Sequence, residues 1–438
     1  EACRREVELN RRLAPDVYEG VAQLVLDDRV LDHLVVMRRL PEELRLAPLL
    51  ADAAVGRHLR QLAHVIAAFH DSADRGPDID AAARRDAMAG LWAEGVEQLG
   101  DVGRGVIDDE DIELSERLAQ EYLAGRRPLF DQRIADRRAC DGHGDLQAED
   151  VFCLPDGPRV LDCLEFDDRL RYGDVLLDVA FLAMDLERLG HPELADLFLD
   201  RYRELSGDNW PASLAHHYVA YRAHVRAKVA CIRRHQGDPS ALGRARVLHE
   251  LALEHLHAGR VHLVLVGGSP GTGKSALSEA LAARIDAVVL SSDRVRDELH
   301  PRTDGRAEDG LHAGRYSPER VRQVYDELLR RAALLLEHGE RVVIDASWLD
   351  PVRRSEAAAV AARTASRLGE LRCTCAPELA AARIRERTRV GGDPSEATPS
   401  VARELAAAAP PWADAIEVDT SLPVEDVANV AEVLVGRD

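Results

Sequence analysis

Val261-His-Leu-Val-Leu-Val-Gly-Gly268-Ser-Pro-Gly-Thr-Gly273-Lys274-Ser275-Ala276 is the stretch on which the fold turns. Its first six residues are largely apolar and read as a strand over 261–267. Gly268, Gly273, Lys274 and Ser275 then follow in the order G-x-x-x-x-G-K-[ST], and helical periodicity takes over at 273–285. A strand, a glycine-rich turn and a helix in that order let backbone N–H groups curl around phosphates at the positive end of the helix dipole. Lys274 is then placed to reach the β- and γ-phosphates, and the Ser275 hydroxyl to ligate Mg²⁺. The cradle comprises Gly268, Ser269, Pro270, Gly271, Thr272, Gly273, Lys274, Ser275 and Ala276.

Downstream, strand patterns at 287–292, 341–345, 370–375 and 415–419 alternate with helical patterns at 316–338, 352–367, 377–389 and 399–408. This alternation predicts an α/β domain over 261–438 with a parallel sheet. Asp293 and Arg296 form D-x-x-R at the end of the second strand. The carboxylate can take a proton from an acceptor hydroxyl, and the arginine can hold the acceptor or a phosphate. A helix-capping Asp beside a surface Arg leaves the same pattern. Asp345 closes Arg341-Val-Val-Ile-Asp345, the position from which a carboxylate binds Mg²⁺; capping of the next helix is the alternative. Arg383 and Arg387 stand four apart on one helix, where they can neutralise a transferring phosphoryl group or simply form a solvated face. Gly391-Gly-Asp-Pro-Ser395 reads as a mobile loop. Together these residues resemble the small P-loop kinases: gluconate kinase, zeta-toxin, chloramphenicol phosphotransferase and the 5′-kinase of polynucleotide ends. The resemblance implies ATP and Mg²⁺ as cofactors and Asp293 as the base.

The first 260 residues are of another kind. Helical periodicity covers 1–15, 48–71, 80–125 and 174–258, with short strands at 21–26 and 33–40. A hairpin with strands at 151–154 and 159–162 carries polar groups. His143-Gly-Asp145-Leu-Gln-Ala-Glu-Asp150 resembles the catalytic loop H-G-D-x-x-x-x-N of aminoglycoside phosphotransferases and choline kinases. That resemblance implies Asp145 as base, Asp150 as a metal ligand where Asn is usual, and Asp162 as the second metal-binding Asp. Gly173-Asp174 and Asp178 supply the acidic follow-on; a purely structural acidic hairpin is the alternative. No lysine precedes Lys228. Residues 1–255 are therefore expected to form a mostly helical kinase-like domain lacking most of its N-lobe, and the chain, opening on Glu1, reads as a fragment. The pairing of halves resembles the bacterial bifunctional aminoglycoside phosphotransferase/ATP-binding proteins.

Composition bounds the partners. The 57 basic and 78 acidic residues leave a net charge of −21, of which −6 falls in 261–438. This acidity argues against a nucleic-acid or anionic-membrane binder. No run of 18 apolar residues is present, which argues against a membrane span. The seven cysteines show no C-x-x-C pair and read as reduced thiols of a cytoplasmic protein. Only two of the basic residues are lysines, Lys228 and Lys274. Where arginine is so general, Lys228 is expected to be half-buried against a carboxylate or carbonyl. The expected function is ATP-dependent phosphorylation of a small-molecule hydroxyl by the C-terminal domain, with the N-terminal domain weakened. The alternatives are an ATP-hydrolysing switch with a partner-binding module, and a polynucleotide 5′-kinase. The acceptor and the oligomeric state stay open.

Overall fold

The computed structural model describes residues 1–301, 317–390 and 398–436. The chain forms two compact units. One comprises Glu1–Leu123 and Arg127–Gly259; the other runs on from Arg260 and includes Ala124–Arg126.

Unit 1 opens with α1 (Ala2–Asn10) and the antiparallel pair β1 (Tyr18–Leu26) and β2 (Arg29–Met37). Helices α2 (Leu46–Leu49), α3 (Val55–Ser72), α4 (Pro77–Ala82), α5 (Arg85–Val102), α6 (Asp109–Ala124) and α7 (Arg127–Ala135) follow. The helical pattern expected over 80–125 is thus divided, once at Ala83–Arg84 and again at Gly103–Asp108, where Gly105 takes φ +76°. The short strands β3 (Ala139–Asp141), β4 (Val151–Leu154), β5 (Gly157–Val160) and β6 (Tyr172–Asp174) frame the polar segment. They pair as β3 with β6 and β4 with β5, both antiparallel. Helices α8 (Val175–Arg188), α9 (Pro192–Ser206), α10 (Ala212–His235) and α11 (Ala241–Ala258) complete the unit. The Asp174 side chain caps α8 by accepting from Leu176 N–H, which starts the helix directly after β6. α8 is buried almost all round, so it reads as apolar rather than amphipathic. Lys228 is half-buried on α10 and its Nζ donates to the side-chain carbonyl oxygen Oε1 of Gln98 at 2.7 Å, the carbonyl form of the expected contact.

Unit 2 contains β7 (His262–Gly267), α12 (Lys274–Ile285), β8 (Ala287–Ser291), α13 (Ser292–Leu299), α14 (Pro318–Glu337), β9 (Arg341–Asp345), α15 (Pro351–Arg363), β10 (Arg367–Thr374), α16 (Pro377–Val390), α17 (Pro399–Ala408), β11 (Ile416–Asp419) and α18 (Val424–Gly436). The sheet is all-parallel in the order β11-β10-β7-β9-β8. Every residue of β7 is buried, as a central parallel strand requires. Register sets Val266 and Ser291 on either side of Asp345, so three strands deliver their C-terminal ends to one edge. Such an edge is where open α/β sheets bind ligands. Val264, Val266, Leu277, Leu281, Val343 and Leu371 form the core beneath it. Two helices went unanticipated. α13 buries only Val295 and Arg296, too little for an apolar period, and α18 packs Val427, Ala428 and Ala431 on that core.

Candidate active sites

The loop after β7 turns through three glycines at positive φ: Gly268 (136°), Gly271 (83°) and Gly273 (86°). At Gly271 a Cβ would sit 2.6 Å from the Ala380 carbonyl of α16, so only glycine lets that helix lie on the loop. Gly268 N–H donates to Ser347 O at 3.2 Å, and Thr272 N–H and Oγ1 both donate to Ser269 O. Lys274 Nζ also donates to Ser269 O, at 3.1 Å, so the ammonium points back into the loop. Ala276 lies in the first turn of α12 and Pro270 within the turn itself.

At the foot of the loop Ser275 Oγ donates to Asp345 Oδ2 at 2.7 Å. Burial pushes the Asp345 carboxyl up, against the pull of Lys274 and the Ser275 hydrogen bond. A hydroxyl and a carboxylate in contact beside a lysine are the donor set a Mg²⁺ ion takes with phosphates. Asp293 lies in the first turn of α13, whose N-cap is Ser291. Its carboxylate forms an ion pair with Arg296, which is buried. Arg296 is therefore directed inward and engaged by Asp293. Behind them Tyr325 OH accepts from Trp348 N–H at 3.2 Å and hydrogen-bonds Ser347 Oγ at 3.1 Å.

Arg383 arrives from α16. Its Nη2 donates to Thr420 O at 2.7 Å, and its Nη1 is buried with no hydrogen-bond partner among the described residues. A Cβ on Gly273 would lie 3.2 Å from that Nη1, which places the open donor on the loop. Arg387 follows one turn later, half-buried. The loop expected at 391–395 lies outside the described residues. Thr420 was not legible as part of this site, because nothing near it in sequence belongs to the motif.

In unit 1 the loop His143–Asp150 is held from below. Asp178 Oδ2 accepts from His143 N–H and Oδ1 from Gly144 N–H, both at 2.8 Å, and His70 Nε2 lies 3.0 Å from Oδ2. Burial works to raise the Asp178 carboxyl, but His70 and these amides hold it well below the usual carboxylate range. Asp185 Oδ2 accepts from Ala148 N–H at 3.0 Å, and Asn10 Oδ1 from Cys163 N–H at 2.9 Å. Of these supports only Asp178 carried a signal, in the acidic follow-on. Asp145 faces Arg226 of α10 at 3.8 Å. Burial pushes Asp145 up, offset by Arg226 and Arg222. Asp150 is pushed up to about 8, by burial first and then by Asp162 and Asp145. Asp162 is exposed at φ +63°, its N–H donating to Tyr18 OH at 3.4 Å. Asp145, Asp150 and Asp162 thus lie within electrostatic reach of one another, but among the described residues no three or more His, Cys, Asp or Glu side chains come together as a group that could hold a metal ion, so the metal-ligand roles expected for Asp150 and Asp162 are not formed as a cluster here.

Residues 1–216 match the phosphotransferase enzyme family, and residues 263–411 match an AAA domain. Uncharacterized proteins of Mycobacterium tuberculosis and Mycobacterium bovis are 43% identical over 429 residues, spanning 97% of this chain and 85% of theirs. The chain belongs to this family of phosphotransferase–P-loop proteins. It is a phosphotransferase of the kinase type. Among solved structures, a gluconokinase from Sinorhizobium meliloti 1021 is similar at 17% identity, covering 41% of this chain and 92% of its own, with a TM-score of 0.29. A choline kinase from Cryptosporidium parvum Iowa II is similar at 11% identity, covering 57% of this chain and 76% of its own, with a TM-score of 0.39. Among the described residues of this phosphotransferase–P-loop protein, no helix is long and apolar enough to cross a membrane.

Proposed function

We propose that the C-terminal domain, residues 261–438, transfers the γ-phosphoryl group of ATP to a hydroxyl of a small molecule. The observation that carries this reading is the open guanidinium donor of Arg383, buried against Gly273 in a loop that already holds Lys274. A buried donor without a partner is costly, and a phosphate oxygen satisfies it. Mg²⁺, held by Ser275 and Asp345, would supply further charge neutralisation. Asp293 accepts the proton of the acceptor hydroxyl as its oxygen bonds to the γ-phosphorus and the bond to ADP breaks. Arg296 holds the Asp293 carboxylate in place through their ion pair. Lys274 and Arg383 take up charge on the transferring oxygens, with Arg387 one turn behind.

Residues 1–255 form the phosphotransferase-type domain in this reading, with Asp145 as base and Asp150 and Asp162 as metal ligands. Its activity is the weaker one. Asp150 brings a second carboxylate where the resembled loop has a neutral amide, and burial first, then Asp162 and Asp145, works against its ionisation. The protein is taken to work in the cytoplasm.

The deciding experiment is a phosphoryl-transfer screen with labelled ATP over sugars, nucleosides, aminoglycosides and 5′-hydroxyl oligonucleotides. It compares the wild type with Lys274→Ala and Asp145→Asn. Transfer to one acceptor that vanishes in Lys274→Ala supports the reading. ADP release that no acceptor stimulates points to a hydrolytic switch instead, and a labelled oligonucleotide to a polynucleotide 5′-kinase.

A further inference from the structure

Thr420 stands at the end of β11, outside every motif, yet uses all of its polar groups on the nucleotide side of unit 2. Its N–H donates to Thr374 O at 2.9 Å, extending the β10–β11 ladder. Its Oγ1 lies 2.5 Å from Thr272 O and 2.9 Å from Thr374 O, so a single hydroxyl proton is shared between the glycine-rich loop and β10. Its carbonyl accepts Arg383 Nη2 at 2.7 Å. Thr420 and Thr272 are both buried, so water cannot replace these bonds cheaply. One residue thereby fixes the loop, the strand end and the guanidinium relative to one another.

We propose that Thr420 is a positioning residue that latches the loop and presets Arg383, leaving Nη1 aimed at the phosphate position before any nucleotide binds. The inference rests on the nucleotide-binding reading of unit 2 and adds to it that Arg383 needs no closure to reach the loop. With Nη2 already engaged, only Nη1 is open at the loop. The direction of the open Nη1 is thus set by the bond of Nη2 to the Thr420 carbonyl. The latch is specific to a hydroxyl: valine has the same shape but leaves Thr272 O unpaired, whereas serine keeps the bond.

The test uses the full chain with Thr420→Val, Thr420→Ser, Arg383→Ala and the double variant Thr420→Val/Arg383→Ala. Two readouts are taken. In ATP turnover, Thr420→Val should lower kcat about 10-fold or more while the KM for ATP changes less, because a loop released from the Thr420 hydroxyl slips out of line with the Arg383 donor that the Thr420 carbonyl still directs, and transition-state stabilisation is lost first. Thr420→Ser should restore most of it. In the Arg383→Ala background, Thr420→Val should cost less than about threefold, because the two act as one unit. In nucleotide-free protein, amide hydrogen exchange of the peptide spanning 268–277 should quicken in Thr420→Val and stay close to wild type in Thr420→Ser. Independent, multiplying losses, or a serine variant no better than valine, would overturn the latch. So would unchanged exchange at 268–277. Absence of ATP turnover in the wild type would count against the function of unit 2 instead, and the exchange measurement would still decide Thr420.

Discussion

Replacing Lys274 by alanine tests the assignment of activity to unit 2 most directly. The ammonium reaches back to Ser269 O and is partly buried, with Arg383 Nη1 the other donor at the loop. At an effective dielectric near 20, one unit charge about 4 Å from a phosphate oxygen is worth about 4 kcal/mol. Arg383 shares part of that work, so a loss of about 2–4 kcal/mol is expected, or roughly 30- to 1,000-fold in turnover. The fold should survive the change. Ser269 O keeps its bonds from Thr272 N–H and Oγ1, so the lost hydrogen bond is worth about 1 kcal/mol, a shift of a few degrees in melting temperature. The assay is coupled ADP release at saturating ATP, with thermal unfolding of each protein alongside. Retention of turnover within about threefold, less than about 0.7 kcal/mol of barrier, would refute the reasoning and move the activity out of unit 2.

Three further outcomes are expected. Asp145→Asn should change total turnover by less than about threefold; loss of most activity would make unit 1 the working kinase. Asp293→Asn should slow transfer to the acceptor roughly 10²–10⁴-fold while nucleotide affinity, which rests on the loop and Lys274, changes little. An unchanged rate there would reduce Asp293 to the ion-pair partner of Arg296. Asp150→Asn should stabilise unit 1, and more at pH 8 than at pH 5. The carboxyl's folded pKa, about 8, lies above its unfolded value near 3.8, so the wild type loses stability relative to the variant as pH rises between them. Urea unfolding at the two pH values reads this, and an equal gain at both would mean that Asp150 is not perturbed.

The strand–loop–helix of 261–276 was legible because its information is local: an apolar run, glycines where φ must be positive, and a lysine and serine at fixed offsets. The same holds for Asp345 at a strand end and for the order of residues in His143–Asp150. The helical pattern over 80–125 holds for most of its length, but its division into α4, α5 and α6 is not legible, because apolar periodicity runs on through short breaks that backbone geometry, not hydrophobicity, decides. α13 is not legible in the sequence because its short, charged stretch buries only Val295 and Arg296, although Asp293 and Arg296 both lie within it. Their ion pair depends on the helix that the reading missed.

What remained for the tertiary structure is everything that joins residues distant in sequence. The motifs determined two halves of different kind, a phosphotransferase-type half and a P-loop half. Only the parallel order β11-β10-β7-β9-β8 brings Ser275 to Asp345, and Thr420 to both Thr272 and Arg383. Only the packing of α3 and α8 sets His70 and Asp178 beneath the His143–Asp150 loop. The reason is physical. Hydrogen-bond partners across a sheet are chosen by strand order and register, and the sequence of one strand carries no record of which strand will lie beside it.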